Sequence, residues 1–119
     1  MLNVGVNQVC MVYDTHYEGA LTLGSEANMA MIGAMREVIL VANAESVNLG
    51  EAELKEYIRI LKTLDPKATP SMGQDRLNKQ KSEVDMFAGT VIELANKHGI
   101  PVPANEFLYR RVHEIEAEY

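Results

Sequence analysis

Apolar residues recur along this chain at steps of three and four, which is the spacing of an amphipathic α-helix. The clearest example lies between residues 51 and 64, where charged side chains separate the apolar ones. Its apolar positions are Leu54, Tyr57, Ile58, Leu61 and Leu64. The same period predicts a helix from Leu2 to about Tyr13. We therefore expect helices that each bury one face.

The most apolar segment runs from Ser25 to about Val47 and carries hydrophobic residues on most of its sides. Ser25 is a favourable N-cap and Glu26 suits the first turn of a helix. At 1.5 Å per residue such a helix would be roughly 33 Å long, enough to span a small domain. We predict that it is a central helix with the others packed around it. Residues 14–24 contain two glycines and no sustained period, so they predict a connection.

Turn-forming residues divide the second half of the chain. Pro66 ends one helix, and Thr69 with Pro70 predicts the start of a short one. Ser82 followed by Asp85 resembles a capping box and predicts another start. Gly99 is a typical helix C-terminus. The proline-containing turn after it leads to a last helix with apolar positions at Phe107, Leu108, Val112 and Ile115.

No alternating strand pattern interrupts these helices, so the predicted fold class is all-α: a compact bundle of five or six helices in a single domain over residues 1–119. The chain has 47% hydrophobic and 24% charged residues, as an ordinary soluble domain has. Acidic residues outnumber basic ones 17 to 11, which argues against a nucleic-acid partner. Arg36 and Glu37 interrupt the longest apolar run, so no membrane span is expected.

The single cysteine, Cys10, cannot form an internal disulfide, and together with seven methionines it favours a cytoplasmic protein. His16, His98 and His113 share no metal-ligand spacing, so no metal site is expected. The sequence also contains no glycine-rich dinucleotide motif. Neither a metal nor a dinucleotide is therefore assigned to this chain itself.

Four polar residues are candidates for ligand binding. Asn3 and Asn7 lie one helical turn apart on the same face, and their amides suit hydroxyl, keto and carboxylate oxygens. Ser71 falls in the first turn after Pro70, where a helix favours an anion. Glu83 also lies at a helix start. Each has a simpler interpretation, because such asparagines often bond the backbone or water, and a serine or glutamate at a helix start stabilises the helix.

Four segments, in this order, resemble the C-terminal domain of ketopantoate reductase (2-dehydropantoate 2-reductase) over nearly the whole chain. They are Asn3-x-x-x-Asn7, Pro70-Ser71-Met72-x-Gln74-Asp75, Ser82-Glu83-Val84-Asp85, and Gly99-Ile100-Pro101-Val102-Pro103-x-Asn105. In that family an N-terminal Rossmann domain binds NADPH and the C-terminal domain is all-helical. The cleft between them reduces the keto group of ketopantoate, which yields pantoate on the route to pantothenate.

The resemblance implies that Asn3, Asn7 and Ser71 contact the substrate and that Glu83 matches an active-site glutamate. It also implies a lysine that protonates the ketone oxygen, four residues before Asn3 and therefore before Met1. Glu83 would orient that lysine. The implied cofactor is NADPH, bound mainly by the Rossmann domain that is absent from this chain, so the chain alone is expected to be inactive. The implied partners are the protein's own N-terminal Rossmann domain, a small 2-keto acid substrate and a second copy in a homodimer.

Two departures from the family pattern leave the substrate open. Gln8 follows Asn7 where many members have proline, and Tyr17 stands where some have a further asparagine. A related 2-keto acid reductase is therefore one alternative. The other is a stand-alone, non-catalytic helical interaction or dimerisation module that has kept this fold.

Overall fold

The computed structural model describes residues 2–119, and every regular element in that part of the chain is helical. The helices are α1 (Asn3–Val12), α2 (Tyr17–Leu21), α3 (Glu26–Ala44), α4 (Glu51–Leu61), α5 (Ser71–Leu77), α6 (Thr90–His98) and α7 (Pro103–Ala117), and a π-helical turn (Asp85–Gly89) precedes α6. The predicted all-α fold is confirmed, with seven helices in the described residues. None of these helices is both long and apolar enough to cross a membrane.

Helix α1 is the most completely enclosed element, because every residue from Val4 to Met11 is buried. It packs against α3, α5 and α7, while the long helix α3 contacts α1, α2, α6 and α7. One side of α3 remains open, since Met29 and Leu40 are 66% and 55% exposed. The bundle therefore buries α1 on all sides and α3 on one broad face.

Two of the predicted helix ends are confirmed in atomic detail. The Ser25 hydroxyl accepts the backbone N–H of Asn28 at 3.1 Å, as an N-cap does. Gly99 ends α6 in the left-handed conformation with φ 67°, which glycine adopts without steric cost. These ends follow from local sequence alone.

Two local predictions are wrong because distant residues compete for the same groups. Residues 14–24 are not only a connection, because α2 forms where the N–H groups of Tyr17 and Glu18 donate to carbonyls of Ala68 and Pro66. Ser82 and Asp85 form no capping box. The backbone N–H of Ser82 instead donates to the side chain of Glu116.

The buried polar residue Asn105 ties α7 to α1 and α3. Its Nδ2 donates to the carbonyl oxygen of Ala34 at 3.2 Å and to Oε1 of Glu37 at 2.9 Å. Glu37 also accepts the N–H groups of Ala104 and Asn105, so a side chain of α3 caps α7. Gln8, on α1, donates to Oδ1 of Asn105 at 3.4 Å. The last helix is therefore positioned by polar contacts across the core.

A small apolar cluster supports the segment between α5 and α6. Its buried members are Met11, Met72, Val84, Ala88, Val112 and Ile115, with Phe87 packed against them. These residues come from α1, α5, the π-helical turn and α7, together with Val84 just before that turn. The cluster thereby holds residues 71–89 against the rest of the bundle.

Candidate functional site

Helices α1 and α5 bring Asn7 and Ser71 together. The Ser71 hydroxyl donates to Oδ1 of Asn7 across 3.5 Å, although 64 positions separate the two residues. Ser71 is exposed at the first residue of α5, whereas Asn7 is buried with 8% of its surface exposed. Direct packing of α1 against α5 permits this approach.

Ser71 and Glu83 open into one polar pocket of about 240 Å³. The complete lining is Ser71, Met72, Asp75, Lys81, Glu83 and Phe87. Met72 is a buried member of the small apolar cluster and Phe87 packs against that cluster, so both form the apolar part of the pocket lining. Asn7, Ser71 and Glu83, three of the four candidate residues, are thus joined by a hydrogen bond or by a shared pocket.

Asn3 lies in a neighbouring pocket and not in the polar one. This second pocket, of about 220 Å³, is mainly apolar and is lined by Asn3, Val4, Val38, Val41, Met86, Phe87, Thr90, Val91 and Leu94. Phe87 is the one residue shared with the polar pocket. The site therefore has a polar part near Ser71 and an apolar part near Asn3, with the Phe87 side chain between them.

Negative charge is concentrated around the polar pocket. The pKa of Asp75 is raised by burial first, and then by the charges of Glu83 and Glu116. Lys81 is the only basic residue that lines this pocket among the described residues. Asp75 was noted only as part of the family-like segment that begins at Pro70, and neither Lys81 nor Phe87 was predicted to be a site residue. Only the position of Lys81, two residues before Glu83, could have suggested it.

A second polar cluster anchors the π-helical turn to α7. Oδ1 of Asp85 accepts the Tyr109 hydroxyl at 2.6 Å and faces Nε2 of His113 at 3.1 Å. The rings of Tyr109 and His113 meet edge to face, with 4.6 Å between their centroids. The hydrogen bonds from Tyr109 and then His113 lower the pKa of Asp85. Because Phe87 belongs to this turn, the cluster also holds the wall between the two pockets.

Cys10 does not contribute reactive chemistry to the site. It is 1% exposed, and burial raises the pKa of its thiol to about 12. A thiol needs its deprotonated form to act as a nucleophile. Within residues 2–119, no three histidine, cysteine or acidic side chains come together as a metal-binding group.

Known proteins match this chain over nearly its whole length. Residues 1–116 match the family described as "Ketopantoate reductase PanE/ApbA C terminal". The 2-dehydropantoate 2-reductase of Vibrio cholerae is 27% identical over 119 residues, which is 99% of this chain and 39% of that protein. Among solved structures, a PanE/ApbA family ketopantoate reductase from Ralstonia eutropha is 32% identical with a TM-score of 0.85, over 98% of this chain and 39% of that one.

A further solved structure widens the range of relatives. The ternary structure of D-mandelate dehydrogenase with NADH and anilino(oxo)acetate is 26% identical, with a TM-score of 0.82 over 98% of this chain and 49% of that one. The chain spans about two fifths of the curated relatives it matches. The family match covers all four segments on which the resemblance was based. This chain therefore belongs to the ketopantoate reductase family and corresponds to its C-terminal domain.

Proposed function

We propose that this chain is the substrate-binding domain of an NADPH-dependent 2-dehydropantoate 2-reductase, which converts ketopantoate to pantoate in pantothenate biosynthesis. The chain belongs to the ketopantoate reductase family. The observation that supports the proposal most directly is its polar pocket, which Ser71 and Glu83 line and where Ser71 also contacts Asn7. The relatives are oxidoreductases in which this domain is the smaller part. Turnover is accordingly proposed for a longer protein.

The pocket offers hydrogen-bond donors to the oxygens of a 2-keto acid. In the structure the Ser71 hydroxyl bonds Oδ1 of Asn7, which leaves the Nδ2 group of Asn7 as a donor toward a ligand. The Ser71 hydroxyl can itself turn to donate to a substrate oxygen. We assign both residues to substrate binding. Asn3 would contact the substrate from the neighbouring pocket, on the other side of Phe87.

The polar pocket does not suit the phosphates of a dinucleotide, because Asp75 and Glu83 would repel them. We therefore propose that NADPH is held mainly by the protein's own N-terminal Rossmann domain, outside this chain. When bound, NADPH supplies a hydride to the keto carbon. The ketone oxygen then needs a proton, and a lysine before Met1 is the proposed donor. Glu83 would orient that ammonium group by a charge-assisted hydrogen bond.

A related 2-keto acid with an apolar side chain is a second candidate substrate. The apolar pocket beside the polar one supports it, since Phe87, Met86 and Leu94 would receive such a side chain. The D-mandelate dehydrogenase structure contains anilino(oxo)acetate, a 2-oxo acid derivative with an aromatic ring. Activity with ketopantoate and with an aromatic 2-oxo acid, compared at equal concentration, distinguishes the two substrates.

The decisive experiment uses the longest reading frame that contains this chain. Addition of ketopantoate should cause oxidation of NADPH, measured by absorbance, and Glu83→Gln should lower kcat at least about 100-fold, as expected for loss of a group that orients the acid. Glu106→Gln is the matched control, because Glu106 is exposed in the first turn of α7 and lines neither pocket. The 119-residue chain by itself should show no turnover.

Three results would contradict parts of this proposal. Wild-type kcat in the Glu83→Gln protein would remove Glu83 from the mechanism. No NADPH oxidation with any 2-oxo acid would refute the reductase and favour a stand-alone helical interaction module. Turnover by the chain alone would show that the acid and the cofactor site lie within these residues.

We also propose self-association as a homodimer. The exposed apolar side chains Leu23, Met29 and Leu77, with 88%, 66% and 67% of their surface accessible, are ones that a second copy could cover. Sedimentation over a concentration series tests it, and a strict monomer at high concentration would refute it.

A further inference from the structure

We infer that Lys81 is the cation that binds the carboxylate of the 2-oxo acid in the polar pocket. This inference rests on the proposed function, because it names a further binding residue at the same site. Lys81 lines the pocket together with Ser71 and Glu83. It lies outside the four segments that resemble the family, so the resemblance implies no role for it.

The charge of the pocket creates the need for such a residue. Two of its six lining residues, Asp75 and Glu83, are acidic, and a third carboxylate, that of Glu116, is close enough to raise the pKa of Asp75. A 2-oxo acid is an anion at neutral pH and would be repelled by these groups. A positive charge at the same pocket offsets that repulsion and attracts the substrate carboxylate.

The other basic residues of this segment are committed elsewhere or lie outside the pocket. The Arg76 guanidinium donates to the carbonyl oxygens of Met11 at 2.6 Å and Val12 at 3.1 Å, so it closes the end of α1. Lys79 is exposed and is not among the residues that line either the polar or the apolar pocket. Lys81 is therefore the basic residue of the segment that can reach a ligand beside Ser71.

Lys81 is not held by an ion pair in the described part of the chain. The ion pairs there involve other basic residues. Lys81 also lines a third pocket, next to Asp85 and His113, and its charge contributes last among the causes that lower the pKa of Asp85. Lys81 thus borders two cavities. A bound carboxylate would draw the ammonium group of Lys81 toward the polar pocket that Ser71 lines.

The test is a binding titration followed by NMR on the protein encoded by the longest reading frame that contains this chain. Trimethylpyruvate serves as the 2-oxo acid, since it has the branched carbon skeleton of ketopantoate but cannot form a lactone, and its methyl ester serves as the analogue without charge. The acid should shift the backbone amide signals of Ser71, Lys81 and Glu83. The ester should bind at least tenfold more weakly than the acid.

Lys81→Met should weaken acid binding at least tenfold and leave ester binding unchanged, while Lys81→Arg should retain most of the affinity. Lys79→Met is the matched control, because it makes the same change of charge two residues away and outside the pocket. Its affinity for the acid should equal that of the wild type. A dispersed amide spectrum for each variant verifies that it is folded.

The failures can be told apart. Wild-type affinity of Lys81→Met for the acid, or equal wild-type affinity for acid and ester, overturns the role of Lys81 and leaves the proposed function standing. If the wild type binds neither compound near Ser71, the substrate site itself is refuted, and the role of Lys81 with it.

Discussion

Replacing Asn105 by alanine removes the amide that joins three helices of the core. Asn105 is fully buried in α7. Its side chain bonds the Ala34 carbonyl and the Glu37 carboxylate of α3, and accepts a hydrogen bond from Gln8 of α1. Asn105→Ala should therefore destabilise the whole bundle and not only the start of α7.

The expected loss is about 3 kcal/mol of unfolding free energy. A hydrogen bond to a charged group such as Glu37 contributes about 1.5 to 3 kcal/mol, and a neutral one about 0.5 to 1.5 kcal/mol. The hydrogen bond from Gln8 is long, at 3.4 Å, so its contribution lies at the low end of the range for neutral hydrogen bonds. The substitution leaves few groups without a hydrogen-bond partner. Gln8 still donates to the Val4 carbonyl, and Glu37 still accepts the backbone N–H groups at the start of α7. The sum of the three bonds gives the estimate.

Urea denaturation followed by circular dichroism measures this loss, which corresponds to a decrease in Tm of about 10 °C for a chain of this size. Asn96→Ala is the control, because Asn96 is exposed on α6 and its replacement should change stability by less than about 0.5 kcal/mol. Asn105→Asp should cost at least as much as Asn105→Ala, since it places a second carboxylate beside Glu37. A loss below about 1 kcal/mol for Asn105→Ala would refute the reasoning.

Three further predictions concern single groups. Ser25→Ala should cost about 1 kcal/mol of stability in urea denaturation, whereas Ser25→Asp keeps an acceptor for the N–H of Asn28 and should cost less; equal losses would exclude the cap. The Cys10 thiol should not react with Ellman's reagent in the native chain and should react after unfolding, because its pKa is raised to about 12 by burial; rapid native reaction would contradict this. Hydrogen bonds from His98 and then Lys97 lower the pKa of Glu45, so this carboxylate stabilises the fold above its unfolded pKa, and the contribution is lost as the pH falls through the folded pKa. In an NMR titration, His98→Ala should move the Glu45 midpoint upward, and an unchanged midpoint would show that His98 is not the cause.

The helices and their ends were largely predictable because they depend on local sequence. Hydrophobic spacing located α1, α3, α4 and α7 to within a few residues, and the helix predicted from Ser82 to Gly99 corresponds to the π-helical turn together with α6. Ser25 and Gly99 act through groups within their own turn, so their residue types were sufficient evidence. Helix α2 was missed because its first N–H groups are satisfied by carbonyls of Pro66 and Ala68. The sequence of residues 14–24 alone therefore could not predict these hydrogen bonds.

The start of the segment before α6 shows the same competition. Ser82 and Asp85 have the residue types of a capping box, but Asp85 bonds Tyr109 and His113 of α7 instead. The segment continues as a π-helical turn. A carboxylate takes the strongest donors that the fold brings to it, and here they come from another helix.

The candidate site was only partly predictable for a related reason. Asn7, Ser71 and Glu83 were named from residue type and family resemblance; in the structure Ser71 bonds Asn7 and lines the same pocket as Glu83. Lys81 was not identified, because it lies in a polar stretch without a helical period. Whether such a side chain meets a pocket depends on the path of the chain after α5. The sequence also could not predict that Asn3 lines the neighbouring apolar pocket, which shares Phe87 with the polar one.

By itself, the sequence determined the all-helical class, most helix boundaries and the family to which the chain belongs, since each depends on short-range spacing or on residue order. Tertiary structure alone decided which polar groups share a pocket. The contact between Asn7 and Ser71 requires α1 and α5 to pack closely, and the shared pocket of Ser71 and Glu83 requires an apolar cluster drawn from distant helices. Burial of apolar surface selects that packing over the whole chain, so no local segment contains the information.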